Sequence, residues 1–142
     1  MSREPDHPTL LLVEDSEDDA FFFRRALQKS GVGCSFHHVT NGAKAIEFLK
    51  NASASAEARL PQLIFLDLKM PVMNGFEFLE WMATQTFRSA PQVVVLSGSE
   101  HQEDKTRAAQ LGATDYLVKP MKASDLQRFL RPVSPPPMGE PV

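Results

Sequence analysis

Five short apolar runs, each followed by a segment with helical periodicity, constrain the fold of this chain more than any other feature. Three of the five runs are continuously apolar, which is typical of strands that are buried on both faces of a sheet. The runs, which we predict as strands, are Thr9–Val13, Ser35–Val39, Leu63–Asp67, Gln92–Ser97 and Asp115–Val118.

The segments between these runs carry the signals of helices. Glycines follow the first and fourth segments, at positions 31 and 112, where helices commonly end. The predicted helices are Asp18–Ser30, Ala43 to about Asn51, Phe76–Gln85, Gln102–Leu111 and Ser124–Leu130, with either an exposed loop over Ala52–Pro61 or a frayed extension of the second helix into it. Repeated alternation of strand and helix predicts an α/β fold in which helices cover both faces of a parallel sheet.

The length of the chain and the composition of its ends predict a single folded unit. A chain of 142 residues is long enough for one domain with a substantial core. Residues 1–8 are polar and contain prolines, and residues 132–142 form a proline-rich segment that cannot continue a helix. We therefore predict a flexible N-terminus over 1–8, a domain over 9–131 and a disordered tail over 132–142.

Bulk properties exclude several classes of protein. The net charge of −3 and the pI near 5.8 give no basic field for nucleic acid. No apolar run approaches the roughly 18 residues that a membrane-spanning helix needs, and the first residues lack the layout of a signal peptide. The single cysteine, Cys34, cannot form an internal disulfide. A cytoplasmic location is the expectation.

Polar side chains stand at the carboxyl ends of four predicted strands. Glu14 and Asp15 follow the first strand, Asp67 ends the third, Ser97 ends the fourth, and Lys119 follows the fifth. In an open α/β sheet ligands bind outside these strand ends. Each residue alone is explained by ordinary turn or loop chemistry, but their shared location predicts a functional site.

The chemistry of this set indicates a metal ion and a phosphoryl group. Two carboxylates about 5 Å apart repel by roughly 3 kcal/mol at an effective dielectric constant near 20, so three of them either take up a proton or recruit a cation. Only oxygen ligands are present, which favours Mg²⁺. Lys119 and Ser97 can bind phosphate oxygens. We therefore expect a phosphoryl group at this site, with a carboxylate as its acceptor.

Four motifs resemble those of response-regulator receiver domains of two-component signalling. They are LLLVEDSEDD, IFLDLKMPVMNG, VVVLSGS and GATDYLVKP, and the resemblance covers Thr9 to Leu130. It implies a flavodoxin-like, doubly wound five-stranded parallel sheet with strand order 2-1-3-4-5. It also implies that the chain receives a phosphoryl group from a sensor histidine kinase.

The resemblance assigns roles to the acids of the predicted site. Asp67 corresponds to the phosphoacceptor and Asp15 to the direct Mg²⁺ ligand. Glu14, where an aspartate is commoner, would act on the metal through water. The main-chain carbonyl of Lys69 would be a further metal ligand, although a lysine side chain beside such a site is unusual.

The resemblance also assigns a switch. Ser97 and Lys119 would contact the phosphoryl oxygens, and the peptide bond between Lys119 and Pro120 would be cis. Movement of Ser97 toward the phosphoryl group would let Tyr116 turn inward. The surface formed by the fourth helix, fifth strand and fifth helix would then change for a downstream protein that the sequence does not identify.

The first predicted helix suggests a place where a kinase could dock. At 100° per residue Phe21 points away from the apolar face of this helix, and Phe22 lies at the edge of that face. Both lie near Asp18 and Asp19, close to the strand ends. One exposed phenylalanine is ordinary, but this position makes all four residues candidates for kinase docking.

The predicted function is that of a stand-alone response regulator, which is not an enzyme beyond catalysing its own phosphorylation and dephosphorylation. The EDSEDD start and the long loop before the third strand resemble single-domain regulators of bacteriophytochromes, so a phytochrome-like kinase is the expected partner. The short last helix suggests a monomer or a weak homodimer. A phosphorelay shuttle and a pseudo-receiver that is never phosphorylated remain alternatives. A dehalogenase-type phosphatase does not fit, because Lys69 occupies the position of its second aspartate.

Overall fold

The computed structural model describes residues 8–54, 60–70, 72–87, 89–98 and 100–130. All five predicted strands are confirmed with the predicted bounds. The strands are β1 (Thr9–Val13), β2 (Ser35–Val39), β3 (Leu63–Asp67), β4 (Gln92–Ser97) and β5 (Asp115–Val118). The helices are α1 (Glu17–Ser30), α2 (Gly42–Ala54), α3 (Gly75–Ala83), α4 (Gln102–Gln110) and α5 (Ala123–Phe129). The predicted N-terminus and tail lie, except for Pro8, outside the described residues.

The strands form one parallel sheet in the order β2-β1-β3-β4-β5. The predicted α/β fold and strand order are therefore confirmed. Every residue of β1 and β3 is buried, which explains their continuous apolar sequences. β2 and β5 lie at the two edges and are partly exposed, which explains why their sequences are more polar.

Alternate strand residues build two separate cores, one on each face of the sheet. Leu11 and Leu66 face the core that α2, α3 and α4 cover. Leu12 and Phe65 face the core under α1 and α5, where Phe65 meets the ring of Phe23 edge-on at a centroid distance of 5.0 Å. Side chains of one strand therefore serve both cores, as the two-residue period of a strand requires.

The helix bounds differ from the predicted ones by one to three residues. The largest difference is in α2, which continues to Ala54 rather than ending at Asn51. The buried side chain of Ala52 stabilises this extra turn, so residues 52–54 belong to the helix and not to the loop predicted over Ala52–Pro61. Residues 55–59 of that predicted loop lie outside the described residues. The other differences, each of one or two residues, are at the start of α1, the start of α2, both ends of α3, the end of α4 and both ends of α5.

Helix caps explain where α1 and α3 begin. The Oγ of Ser16 accepts a hydrogen bond from the N–H of Asp19, so α1 starts one residue earlier than predicted. Asn74 and Glu77 form a reciprocal capping box that starts α3. α1 ends before Gly31, which is in the left-handed conformation with φ +73°. In the described part of the chain no helix has the length and apolar character to cross a membrane.

Candidate functional site

The carboxyl ends of the strands bring three acids together. Carboxylate oxygens of Glu14, Asp15 and Asp67 lie within 4.8 Å of one another. Glu14 and Asp67 are only 1% and 6% exposed, whereas Asp15 is exposed at the mouth of the cluster. Ser97 is buried at the end of β4, the strand that pairs with β3. The residues that the sequence predicted as a site therefore meet at one edge of the sheet.

Lys119 brings a positive charge into this cluster. Its Nζ lies 2.9 Å from Glu14 Oε1 and 3.5 Å from Asp67 Oδ1. The peptide bond between Lys119 and Pro120 is cis, as expected. The N–H of Lys119 donates a 2.8 Å hydrogen bond to the carbonyl oxygen of Ser97, which ties the loop after β5 to the end of β4.

Asp19 also belongs to the site, although the sequence assigned it only to docking. Its Oδ2 lies 2.7 Å from Lys119 Nζ. Asp19 is the third residue of α1, and the sequence placed it near the strand ends but gave no sign of its contact with Lys119. An ion pair between a helix and a loop 100 residues farther along the chain cannot be predicted from local sequence patterns.

The electrostatics of the cluster depart from those of free side chains. Burial, and then the charge of Glu14, raise the pKa of Asp67 to about 7, although Lys119 and the N–H of Lys69 oppose this rise. Burial lowers the pKa of Lys119, but its hydrogen bonds to Asp19 and Glu14 and the nearby charge of Asp67 outweigh burial and hold that pKa above its usual range. The ammonium stays charged, whereas Asp67 is close to half protonated at neutral pH in the absence of a metal ion.

The loop between β3 and α3 shapes the other wall of the site. The N–H of Lys69 donates to Asp67 Oδ1 at 3.3 Å, while the side chain of Lys69 is exposed. A Cβ at Gly75 would lie 2.7 Å from the carbonyl oxygen of Asp67, so only glycine fits there. Val72 has φ +69°, an uncommon and strained conformation for a β-branched residue, and its side chain is 80% exposed.

His38 is a second residue that the sequence did not assign to the site, and it contacts the backbone of Glu14. His38 Nε2 lies 2.8 Å from the carbonyl oxygen of Glu14, and His38 Nδ1 lies 3.1 Å from Nη2 of Arg24. Because arginine can only donate, Nδ1 of His38 accepts a hydrogen bond from Arg24. Nε2 therefore carries the hydrogen and donates it in a hydrogen bond to the carbonyl oxygen of Glu14. His38 therefore fixes the backbone at the end of β1. Its signal in the sequence was weak, since a histidine on an edge strand has no fixed role.

The candidate switch and docking residues occupy two other places. Tyr116 is partly buried in β5, with Nζ of Lys105 5.8 Å from the centre of its ring. Phe21 and Phe22 are both about half exposed and their rings meet edge-on at 5.6 Å. Phe22 is thus more exposed than its predicted position at the edge of the apolar face of α1 implies. Asp18 is exposed beside them.

The donor atoms of the site fit a hard divalent cation. Glu14, Asp15 and Asp67 offer carboxylate oxygens only, which Mg²⁺ and Mn²⁺ prefer. Two of these carboxylates are buried, and Lys119 alone does not offset the burial of Asp67 and its repulsion by Glu14, since the pKa of Asp67 stays raised. A divalent cation would remove this imbalance.

Comparisons with known proteins agree with this geometry. The family model described as "Response regulator receiver domain" matches residues 10–131. The chain is 30% identical over 124 residues to the "Probable methanogenesis regulatory protein FilR2" of Methanothrix harundinacea (strain 6Ac), covering 87% of this chain and 79% of that protein. It spans about half the length of several other curated relatives.

Several solved structures of response regulators share the fold of this chain, and two of them illustrate the similarity. The "Bacteriophytochrome response regulator RtBRR" is 30% identical, with a TM-score of 0.75 over 87% of this chain and 75% of that one. The "Mn(2+)-bound form of response regulator Rcp1" is 26% identical, with a TM-score of 0.76 over 92% of this chain and 99% of that one.

Proposed function

The chain belongs to the response regulator receiver domain family of two-component systems, and from that premise we propose that Asp67 accepts a phosphoryl group from a sensor histidine kinase. Phosphorylation would then change the surface formed by α4, β5 and α5 for a partner protein. The chain would act catalytically on itself only.

One observation carries this proposal, namely the position of Asp67 between a cation and a second acid. Its carboxylate is 6% exposed, 3.5 Å from the ammonium of Lys119, and within 4.8 Å of the oxygens of Glu14 and Asp15. A structural aspartate in a turn has no need of a partly buried ammonium and two further carboxylates. A carboxylate that attacks phosphorus needs both a positive charge for the phosphoryl oxygens and a cation site beside it.

Mg²⁺ is the proposed cofactor. Asp15 and Asp67 would hold it directly, Glu14 would hold it through water, and the main-chain carbonyl of Lys69 would add a ligand. Mg²⁺ would supply positive charge for the oxygens of the transferred group. A solved relative is the Mn²⁺-bound form of response regulator Rcp1, and Mn²⁺ has similar ligand preferences.

The transfer itself is a substitution at phosphorus. An oxygen of the deprotonated Asp67 forms a P–O bond as the P–N bond to the kinase histidine breaks, and the imidazole leaves with the electron pair of that bond. Lys119 and Ser97 would bind the phosphoryl oxygens. Hydrolysis of the acyl phosphate by water would return Asp67 to its carboxylate form and release phosphate.

The proposed switch uses Ser97 and Tyr116, which stand on neighbouring strands. Ser97 is buried at the end of β4, and Tyr116 is partly buried on β5. A hydrogen bond from Ser97 to the phosphoryl group would draw the β4–α4 loop toward Asp67. Tyr116 would turn into the space that the loop leaves, which changes the α4-β5-α5 surface.

The proposed kinase contacts α1 through Asp18, Asp19, Phe21 and Phe22. Two exposed aromatic side chains beside an acidic first turn are suited to a partner with an apolar surface and basic residues nearby. Similarity to the bacteriophytochrome response regulator RtBRR supports a phytochrome-like kinase as the donor.

Intact-mass spectrometry with a small-molecule donor tests the central step. Incubation with acetyl phosphate and Mg²⁺ should add one hydroxylamine-labile phosphoryl group to the wild type and none to Asp67→Asn. Glu17→Gln serves as a matched control, because Glu17 lies in the same acidic turn of α1 but outside the cluster. A wild type that stays unmodified while a known receiver domain is labelled would favour a pseudo-receiver.

A separate experiment tests the docking residues. Phe21→Ala and Phe22→Ala should slow phosphotransfer from the cognate kinase while leaving phosphorylation by acetyl phosphate unchanged. Gln28→Ala, on the exposed surface of the same helix and farther from the site, is the control. Unchanged kinase rates in both phenylalanine variants would contradict docking through α1.

A further inference from the structure

Lys119 is held more closely by α1 than by the proposed phosphoacceptor. Its Nζ lies 2.7 Å from Asp19 and 3.5 Å from Asp67. The distance to Asp19 is that of a strong charge-assisted hydrogen bond, whereas the distance to Asp67 is that of a loose ion pair. With Glu14 at 2.9 Å, two of the three hydrogens of the ammonium therefore have close partners before a phosphoryl group arrives.

The start of α1 explains why Asp19 is available for this contact. Asp19 is the third residue of the helix, and an acid there often bonds back to the N–H of the capping residue. Here the N–H of Ser16 donates to Glu14 Oε2 at 3.1 Å instead. Asp19 contributes its own N–H to the Oγ of Ser16. Its carboxylate is thus left to bind Lys119.

We propose that Asp19 is a positioning residue that holds the Lys119 ammonium toward α1 and thereby restrains phosphorylation of Asp67. This inference rests on the proposed function, because it concerns how readily the same site is modified. Asp19 acts through Lys119 and makes no contact with the reacting atoms.

Two physical effects of Asp19 act in the same direction. A phosphoryl group on Asp67 has to share one ammonium with Glu14 and Asp19, and the contact with Asp19 at 2.7 Å holds that ammonium toward α1 and away from the phosphoryl oxygens. The carboxylate of Asp19 also repels the negative charge that arrives with the phosphoryl group. Because Asp19 is partly exposed, water can replace Lys119 as its partner, so the restraint is modest rather than absolute.

The rate of phosphorylation by acetyl phosphate tests this proposal. Asp19→Asn keeps the shape of the side chain and removes its charge, and it should raise the initial rate by about three- to tenfold. Asp19→Glu should restore a rate near that of the wild type. Glu17→Gln changes the net charge equally in the same turn of α1 and should alter the rate by less than about twofold. An Asp19→Asn rate no higher than that of Glu17→Gln would overturn the proposal.

A second measurement examines the ion pair without metal or donor. In the presence of a chelator, the ammonium signal of Lys119 in a lysine-selective ¹⁵N spectrum can be assigned by its loss in Lys119→Arg. Asp19→Asn should shift this signal or broaden it through faster exchange with water, whereas Glu17→Gln should leave it in place. A signal that is the same in Asp19→Asn and wild type would also overturn the proposal.

Failure of the restraint is distinguishable from failure of the proposed function. If the wild type is phosphorylated on Asp67 but Asp19→Asn gains nothing, only the restraint is wrong. If neither protein is phosphorylated while a known receiver domain is, the proposed function is wrong and the restraint is wrong with it. Phosphorylation of Asp19→Asn alone would support a strong form of the restraint.

Discussion

The inner strands β1 and β3 and the outer elements α4 and β5 meet at the same edge of the sheet but are packed very differently. Every residue of β1 and β3 is buried, and these strands carry Glu14 and Asp67 at their ends. β5 has no buried residue, and α4, which the structure describes in full, buries only Ala108.

This difference matches the two tasks of the proposed mechanism. Like charges stay close together only where packing on both faces of the sheet prevents them from moving apart. A surface that changes on phosphorylation has to have a second arrangement within a few kcal/mol, which sparse packing allows. The contrast predicts large stability effects in the inner strands and small ones in the outer elements.

The largest effect is expected at Phe65. Phe65→Ala leaves a cavity between the rings of Phe23 and Phe129 and should lower the free energy of unfolding by about 3–5 kcal/mol. Leu117→Ala, at a partly buried position of β5, should lower it by only about 1–2 kcal/mol. Urea denaturation measures both, and equal losses would contradict the packing difference.

The sequence predicted the strands better than the ends of the helices for a physical reason. A strand buried on both faces reads as a continuous apolar run, so Leu63–Asp67 was recognised with the right bounds. Helix ends depend on single capping contacts, such as Ser16 with Asp19, and on burial of residues such as Ala52, which local pattern does not encode.

The second prediction concerns the electrostatic free energy stored in the inner strands. Because the pKa of Asp67 is raised to about 7 in the folded protein, the folded state retains a proton that the unfolded state releases. Stability of the metal-free protein should therefore fall as pH rises from about 4 through 7. Asp67→Asn has no proton to lose at this position. At pH 8 its free energy of unfolding should exceed that of the wild type by on the order of 2 kcal/mol, and at pH 4 the two values should be about equal.

Urea denaturation of both proteins with a chelator present, at several pH values, measures this difference. Glu17→Gln, which replaces an exposed acid of α1 and keeps Asp67, should lose stability with rising pH as the wild type does. A stability gain in Asp67→Asn that is equal at pH 4 and pH 8 would show that loss of charge is not its cause.

The third prediction concerns backbone strain beside the inner strands. Val72 has φ +69°, which an asparagine adopts more readily than a β-branched residue. Val72→Asn should therefore raise the free energy of unfolding by about 0.5–1 kcal/mol. Val72→Thr has a polar side chain but keeps the β-branch, so it separates strain from the exposure of an apolar group. An equal gain in both variants would show that strain is not the cause.

The site was predictable from the sequence to the extent that its residues lie at strand ends. Glu14, Asp15, Asp67, Ser97 and Lys119 were all found in this way, because parallel strands deliver their ends to one edge. Asp19 and His38 were not assigned to the site, since each reaches it from the side through a contact that only the folded chain creates. Site residues that lie in helix starts or on the sides of the site cannot be found from the pattern of the strands.

The smallest effect is expected in the outer elements themselves. The guanidinium of Arg107 on α4 lies 4.2 Å from the centre of the Phe76 ring on α3, a contact worth about 0.5–1 kcal/mol. Because α4 has so little buried surface, loss of this contact in Arg107→Gln should speed amide hydrogen exchange in α4 by about two- to fivefold. Exchange in β1 and β3 should not change, because their opening requires the cores to unfold. Arg128→Gln is the control, since Arg128 makes the same kind of contact with its neighbour Phe129 within α5 and does not connect α4 to another helix. If α4 in the wild type already exchanges as slowly as β3, the outer elements are not loosely held, and the contrast between the two regions fails.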